Sequence, residues 1–132
     1  MKHYLLIHKS LPYEGLQAQE SLELALALAA LGEKVSLYFT DNGVLQLNTH
    51  TSASTIFRKE FTDALKALEF YDINNVYIDL QSIKQHNSNP NDFIKNLAVK
   101  ASNIQFIDTT KDIDLANFSQ LIESADIILN LG

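Results

Sequence analysis

Short apolar runs alternate with longer segments of helical periodicity along the chain. The runs are rich in Val, Ile, Leu, Tyr and Phe, which is typical of strands buried on both faces of a sheet. They predict five strands, at Tyr4 to Ile7, Lys34 to Thr40, Val76 to Leu80, Ile104 to Ile107 and Ile127 to Leu129. Because helical segments separate these runs, the strands are expected to pair in parallel.

Four helices are predicted between the strands. The first, from Gly15 to Leu31, ends where Gly32 can take a left-handed conformation, and its second half is apolar nearly all the way round. A helix of that kind is normally covered on more than one side. The second starts from a Ser54 or Thr55 cap and places apolar residues at helical spacing, namely Phe57, Phe61, Ala64, Leu65 and Leu68. The last two run from Phe93 to Ala101, capped by Asn91 or Asp92, and from Leu115 to Ser124.

Polar segments predict the turns and loops. Asp41-Asn-Gly43 has the composition of a tight turn, in which Gly43 is free to adopt a positive φ. Two longer polar loops are expected, from Leu47 to Ser54 and from Gln81 to Asp92.

This alternation predicts a single domain over residues 1–132, of the three-layer α/β/α class, with a five-stranded, mostly parallel sheet. We expect right-handed crossovers and the flavodoxin-like strand order 2-1-3-4-5. The fifth strand would then leave an uncovered edge, which is one reason to expect a neighbouring subunit.

The sequence has no cysteine, and its 16 acidic and 10 basic residues give a net charge of −6. The absence of thiols excludes thiolate metal sites, catalytic cysteines and disulfides, and it favours a reducing compartment. The acidic balance argues against binding of tRNA or other nucleic acid by this chain alone. No segment has the pattern of a signal peptide or membrane anchor, so a cytoplasmic protein is expected.

Sequence motifs give little support for a cofactor or a catalytic centre. Neither G-x-G-x-x-G nor a P-loop is present, and the four histidines lack the spacing of metal ligands. Asp79 follows the third strand as a phospho-receiver aspartate would, but His8 and Lys9 stand where such a domain needs an acidic pair for magnesium. We expect no cofactor, no metal and no catalytic residue. His8 and Asp79 remain crevice candidates, because ligands of open α/β sheets bind at the carboxyl ends of the strands.

Several segments resemble the TusC/DsrF subunits of the DsrE/DsrF-like sulfur-relay family, and the match spans nearly the whole chain. The second-strand exit is similar to the family's aromatic strand followed by an Asp-Gly-Val-x-Gln-Leu turn; it reads Tyr38-Phe-Thr-Asp-Asn-Gly-Val-Leu-Gln-Leu47. Phe70-Tyr-Asp-Ile73 leads into Val76-Tyr-Ile-Asp-Leu80, and Ser82-Ile-Lys-Gln-His86 looks like the family's Ser-Leu-x-x-Arg stretch.

The resemblance implies a noncatalytic subunit that assembles with TusB-like and TusD-like subunits as a dimer of heterotrimers. Such a complex takes persulfide sulfur from a TusA-like donor and passes it toward 2-thiouridine at the tRNA wobble position. The resemblance places the carrier cysteine in the TusD-like subunit, just after strand three and so close to Asp79 here. Because persulfide transfer needs a thiolate, a chain without cysteine cannot be the carrier.

Two alternatives stay open, a DsrF-like subunit in sulfur oxidation and a stand-alone small-molecule-binding domain of flavodoxin-like fold. The sequence also leaves open a homo-oligomer when the siblings are absent. With the resemblance, interface residues are predicted around the second-strand exit and on the apolar helix, because aromatic residues beside a turn are typical interface anchors. They are Tyr38, Phe39, Asp41, Gly43, Gln46, Leu26 and Leu28. The competing interpretation is an ordinary turn and an ordinary core helix.

Overall fold

Five parallel strands form one sheet in the computed structural model, which describes residues 1–9, 17–47, 63–87, 89–97 and 99–131. The strands are β1 (His3–His8), β2 (Lys34–Phe39), β3 (Asn75–Asp79), β4 (Asn103–Ile107) and β5 (Ile127–Leu131). The predicted α/β class with a parallel sheet is confirmed, and each predicted strand differs from the observed one by no more than two residues at either end.

Helices connect the strands on both faces of the sheet. They are α1 (Gln17–Ala30), α2 (Leu80–His86), α3 (Pro90–Lys95) and α4 (Asp112–Ser124). Two 3-10 helices add to these, Asp41–Leu47 after β2 and Leu68–Tyr71 before β3. Residues 63–66 are helical, but the predicted cap at Ser54 or Thr55, the loop after Leu47 and the apolar residues Phe57 and Phe61 lie outside the described residues.

The strand order is β4-β3-β2-β1-β5, so the predicted order 2-1-3-4-5 is wrong. From β1 to β4 the chain adds each new strand on the same side of the last, and β5 then returns to pair with β1. With right-handed crossovers, steps in one direction place their helices on one face, and the return step places its helix on the other. α4 therefore covers the face opposite α1.

The two faces carry cores of unequal size. On the α1 face, Leu6, Leu37 and Ile78 are fully buried with Leu22 and Ala25 of α1, in the larger core cluster. On the α4 face the buried cluster is smaller, and it consists of Leu5, Tyr38, Ile107 and Leu121. None of the described helices is long and apolar enough to cross a membrane.

The segment from Gln81 to Asp92 is not the predicted loop. Helix α2 begins at Leu80 because the Asp79 carboxylate caps it. The side chain of Ile83, within this helix, is fully buried. Helix α3 begins at Pro90, three residues before the predicted start at Phe93, because the Asn89 side chain accepts a hydrogen bond from the amide of Asp92. The predicted end of α1 is confirmed, since Gly32 has φ +87°.

Candidate functional site

Polar side chains meet where β2 and β3 end side by side. Asp79 Oδ2 accepts hydrogen bonds from Ser82 Oγ at 2.6 Å and from Thr40 Oγ1 at 3.1 Å. Asp79 Oδ1 accepts a third from the Gln81 amide at 3.3 Å, and the Asp41 amide donates to Ser82 Oγ at 2.8 Å. The Asp79 carboxylate therefore joins the end of β2 to the first turn of α2.

A second polar connection joins α2 to the end of β4, and sequence reasoning missed it. Gln81 Nε2 donates to Asp108 Oδ1 at 2.8 Å, and the Thr109 amide donates to Gln81 Oε1 at 2.9 Å. The Thr110 hydroxyl and amide donate to the same Asp108 oxygen. Bonds from the Thr110 hydroxyl, then Gln81, lower the pKa of Asp108 to about 2. The signal was an Asp-Thr-Thr run directly after an apolar strand, a composition that favours side-chain turns.

His8 lies at the carboxyl end of β1, as predicted, but inside the protein. It is 1% exposed, and its ring stacks on Phe39 with the ring centres 4.7 Å apart. No described residue hydrogen-bonds to either ring nitrogen, and burial lowers the pKa of His8 to about 4. At neutral pH the ring is therefore uncharged, and in this conformation it does not meet solvent at the crevice.

Gly43 is needed for a close approach of two chain segments. A Cβ atom at this position would stand 2.0 Å from the carbonyl oxygen of His8. That oxygen also accepts a hydrogen bond from the Thr40 amide at 3.0 Å, which holds it in place. Gly43 does not use the positive φ that is open to a glycine; in this turn Asp41 has a positive φ, at 51°.

Most of the predicted interface residues at the second-strand exit are buried within their own chain. Tyr38 is 8% exposed and packs against Phe118, and burial followed by the Asp79 charge raises the pKa of Tyr38 to about 12. Phe39, Gly43 and Gln46 are buried, whereas Asp41 is exposed. Of these five residues, a partner subunit could contact Asp41 directly. The four buried residues could affect such an interface only by holding the surface above them in place.

The two predicted residues of α1 lie between core and surface. Leu26 and Leu28 are half-buried and pack against the larger core, while Leu24 is 37% exposed and Leu31, just after the helix, is 78% exposed. The helix therefore keeps apolar surface outside the core, but the interface role of all seven residues stays a prediction.

The hydroxyl of Ser82 is held inside the Asp79 network. Ser82 is 2% exposed and its hydroxyl is held by Asp79, so it is not presented as a nucleophile. Its hydrogen-bond partners among the described residues are Thr40, Asp41 and Asp79, whereas a nucleophilic serine needs a base such as histidine within hydrogen-bond reach. No group of three metal-ligating side chains is found in the part of the chain that the structure describes.

The family model for DsrE/DsrF-like proteins matches residues 2–131 of this chain. The chain belongs to the DsrE/DsrF-like family. Among its relatives, the intracellular sulfur oxidation protein DsrF of Allochromatium vinosum is 26% identical over 132 residues, covering 98% of this chain and 96% of that protein. Protein TusC of Buchnera aphidicola subsp. Schizaphis graminum is 29% identical over 77 residues, covering 58% of this chain and 65% of that protein.

A solved structure supports the family fold. The crystal structure of the ychN protein from E. coli matches with a TM-score of 0.67 and 16% identity, covering 99% of this chain and all of the other. At that identity the likeness shows the fold alone. The predicted resemblance to the DsrE/DsrF-like family is thus confirmed by the family model and by relatives named DsrF and TusC.

Proposed function

We propose that this chain is a noncatalytic, cysteine-free subunit of a sulfur-relay complex, in which it holds a cysteine-bearing relative in position. Membership of the DsrE/DsrF-like family and relatives named DsrF and TusC support a place in such a complex. TusB-like and TusD-like subunits are the proposed partners, in a dimer of heterotrimers, and a TusA-like donor is the proposed source of sulfur.

The observation that carries this proposal is the chemistry at the end of β3. The resemblance places the sulfur-carrying cysteine of a TusD-like sibling just after the third strand, and the comparable place in this chain is close to Asp79, the last residue of β3. Its carboxylate accepts three hydrogen bonds and caps α2, so the residue does a structural task. Because a carboxylate cannot hold a persulfide and the sequence contains no cysteine, sulfur must travel on another subunit.

The pathway served by the complex is a separate proposal. We favour 2-thiolation of the tRNA wobble uridine, which follows from the resemblance to TusC-like subunits. A DsrF-like role in sulfur oxidation is the second candidate, and the alignment with DsrF over 98% of this chain favours it. Deleting the gene separates the two: loss of wobble 2-thiouridine selects the first, and unchanged tRNA with impaired sulfur oxidation selects the second.

Assembly is tested by co-expressing the chain with its TusB-like and TusD-like siblings and weighing the product by native mass spectrometry. The expected result is a complex that contains all three chains in equal numbers. If the chain binds neither sibling, the proposal is refuted, and the alternative of a stand-alone small-molecule-binding domain remains. An assembled complex in which this chain also carries sulfur would refute the noncatalytic role alone.

A further inference from the structure

The sheet face beneath α4 is polar near the amino ends of the strands, although a sheet face under a helix is normally apolar. Ser36 of β2, Asn75 and Tyr77 of β3 and Gln105 of β4 all face this side. The alternating residues on the opposite face are apolar, for example Val76 and Ile104. Tyr77 packs against the smaller core, but Ser36, Asn75 and Gln105 belong to neither core cluster, so apolar packing does not explain those three.

Helix α4 does not close over this polar area. Phe118 and Leu121 of α4 pack on the smaller core, whereas Asn117 and Gln120 border an open groove of about 450 Å³. Ligand pockets in proteins commonly have volumes of roughly 300 to 1,000 Å³. The space is therefore large enough for a small molecule, and it lies at the opposite end of the sheet from the Asp79 network.

Hydrogen bonds hold the sheet side of the groove in a fixed arrangement. Asn103 Nδ2 donates to Asn75 Oδ1 at 3.1 Å, and Gln105 Nε2 donates to Asn103 Oδ1 at 3.4 Å. His3, which is 7% exposed, has its Nε2 atom 2.8 Å from Ser36 Oγ. A site with side chains already in place loses less conformational entropy when a ligand binds.

The charge of the groove differs from that of the whole chain. The sequence has a net charge of −6, yet the lining includes Lys34 and no carboxylate. The strand register places Lys34 at the amino rim, because Ser36, two residues further on, is the partner of Asn75. The groove therefore has a cationic end and a longer part lined by carboxamides.

We propose that this groove binds a small anionic ligand of nucleotide size, with Lys34 beside its phosphate and carboxamide side chains along the edge of its base. Each Asn or Gln offers an acceptor and donors in one plane, a pattern that matches the edge of an adenine ring. On the sheet, Asn75 Nδ2 and Gln105 Oε1 take no part in the bonds with Asn103, and they give a donor and an acceptor. Asn117 and Gln120 add carboxamides from α4. The site is independent of the sulfur-relay proposal, since it uses none of the residues around Asp79.

The test is a titration of the full chain, labelled with ¹⁵N, with adenosine 5′-monophosphate, adenosine and inorganic phosphate in separate experiments followed by NMR. The monophosphate should give saturable shifts in the side-chain amide signals of Asn75, Gln105, Asn117 and Gln120. Adenosine should shift the same signals with an affinity about two- to fivefold weaker, the range of an exposed ion pair. Phosphate alone should give no saturable shift.

Variants at exposed positions keep the fold intact and sharpen the result. Lys34→Gln should weaken binding of the monophosphate about two- to fivefold and leave adenosine unchanged. Gln120→Ala should weaken both ligands about fivefold, through the loss of a hydrogen bond. Lys84→Gln, an exposed lysine on α2 near the other end of the sheet, is the matched control and should change neither.

Three results would overturn the proposal. The first is no saturable shift with the monophosphate up to about 5 mM, beyond the range of weak specific binding. The second is an equal response to phosphate alone, which would mean an adventitious ion only. The third is shifts of these signals only when a sibling subunit is added, which would make the groove a protein interface instead.

Discussion

Acid should destabilise this protein through His8, and the His8→Phe variant should lose that part of the sensitivity. The wild-type ring is 1% exposed, stacks on Phe39 and has no hydrogen-bond partner among the described residues, so a proton placed on it would be a buried, uncompensated charge. A phenylalanine keeps an aromatic ring against Phe39 but cannot take up a proton.

The size of the effect follows from the pKa. Burial lowers the pKa of His8 from 6.5 to about 4, and a pKa difference of one corresponds to about 1.4 kcal/mol. In the unfolded chain the ring takes up its proton as the pH falls through about 6.5, whereas in the folded protein it does so near pH 4. The free energy of unfolding therefore declines between these pH values, and below about pH 4 the loss reaches roughly 3 kcal/mol.

Urea unfolding followed by circular dichroism at several pH values from 7 to 4 measures this directly. Two other kinds of group contribute to the acid response of both proteins. They are the carboxylates and the His3 ring, and burial lowers the pKa of His3 as well. The informative quantity is the free energy of unfolding of His8→Phe minus that of the wild type. This difference should rise by roughly 3 kcal/mol between pH 7 and pH 4. His86→Gln, which replaces an exposed histidine, is the control. Parallel pH curves for wild type and His8→Phe would refute this account of His8.

Three further substitutions test the packing and polar contacts by urea unfolding. Gly43→Ala should cost roughly 1 to 3 kcal/mol because its Cβ would meet the His8 carbonyl oxygen at 2.0 Å, while Asn42→Ala, at an exposed position beside it, should cost far less. Asp79→Ala should cost roughly 1 to 2 kcal/mol through loss of the α2 cap; an unchanged free energy would show that the cap is dispensable. Leu26→Asp should cost roughly 2 to 4 kcal/mol, because Leu26 packs against the core, and an equal effect of Leu31→Asp, at a mostly exposed position, would contradict that reasoning.

The strands could be predicted from the sequence because their apolar runs are local signals. The third strand, expected from Val76 to Leu80, is observed at Asn75–Asp79. Strand order is not a local property: both the predicted and the observed orders use the same runs and the same right-handed crossovers. The placement of β5 beside β1 depends on which face α4 covers, and the periodicity of α4 does not specify that.

Helix α2 shows why one element was missed. Its stretch has few apolar residues, and the Asn and Pro residues after it indicate a loop. The helix depends on an Asp79 cap that is itself held by Thr40, a residue 39 positions earlier in the chain. A contact over that distance leaves no periodic signal in the sequence.

The candidate site was predicted in position but not in accessibility. His8 and Asp79 both lie at the carboxyl ends of strands, as expected. The His8 ring is buried against Phe39, and the 3-10 helix Asp41–Leu47 packs on the end of β1, where Gly43 lies against the His8 backbone. Tyr38 and Phe39 were predicted as interface residues, but as neighbours in a strand they face opposite sides of the sheet and enter different cores.

The most direct test of the proposed function is to load the reconstituted three-subunit complex with labelled sulfur from a TusA-like donor and to locate the label by mass spectrometry of each chain. We predict that the label appears on the TusD-like sibling and never on this chain, and that transfer onward fails when this chain is left out. Label covalently attached to this chain, or undiminished transfer without it, would contradict the account.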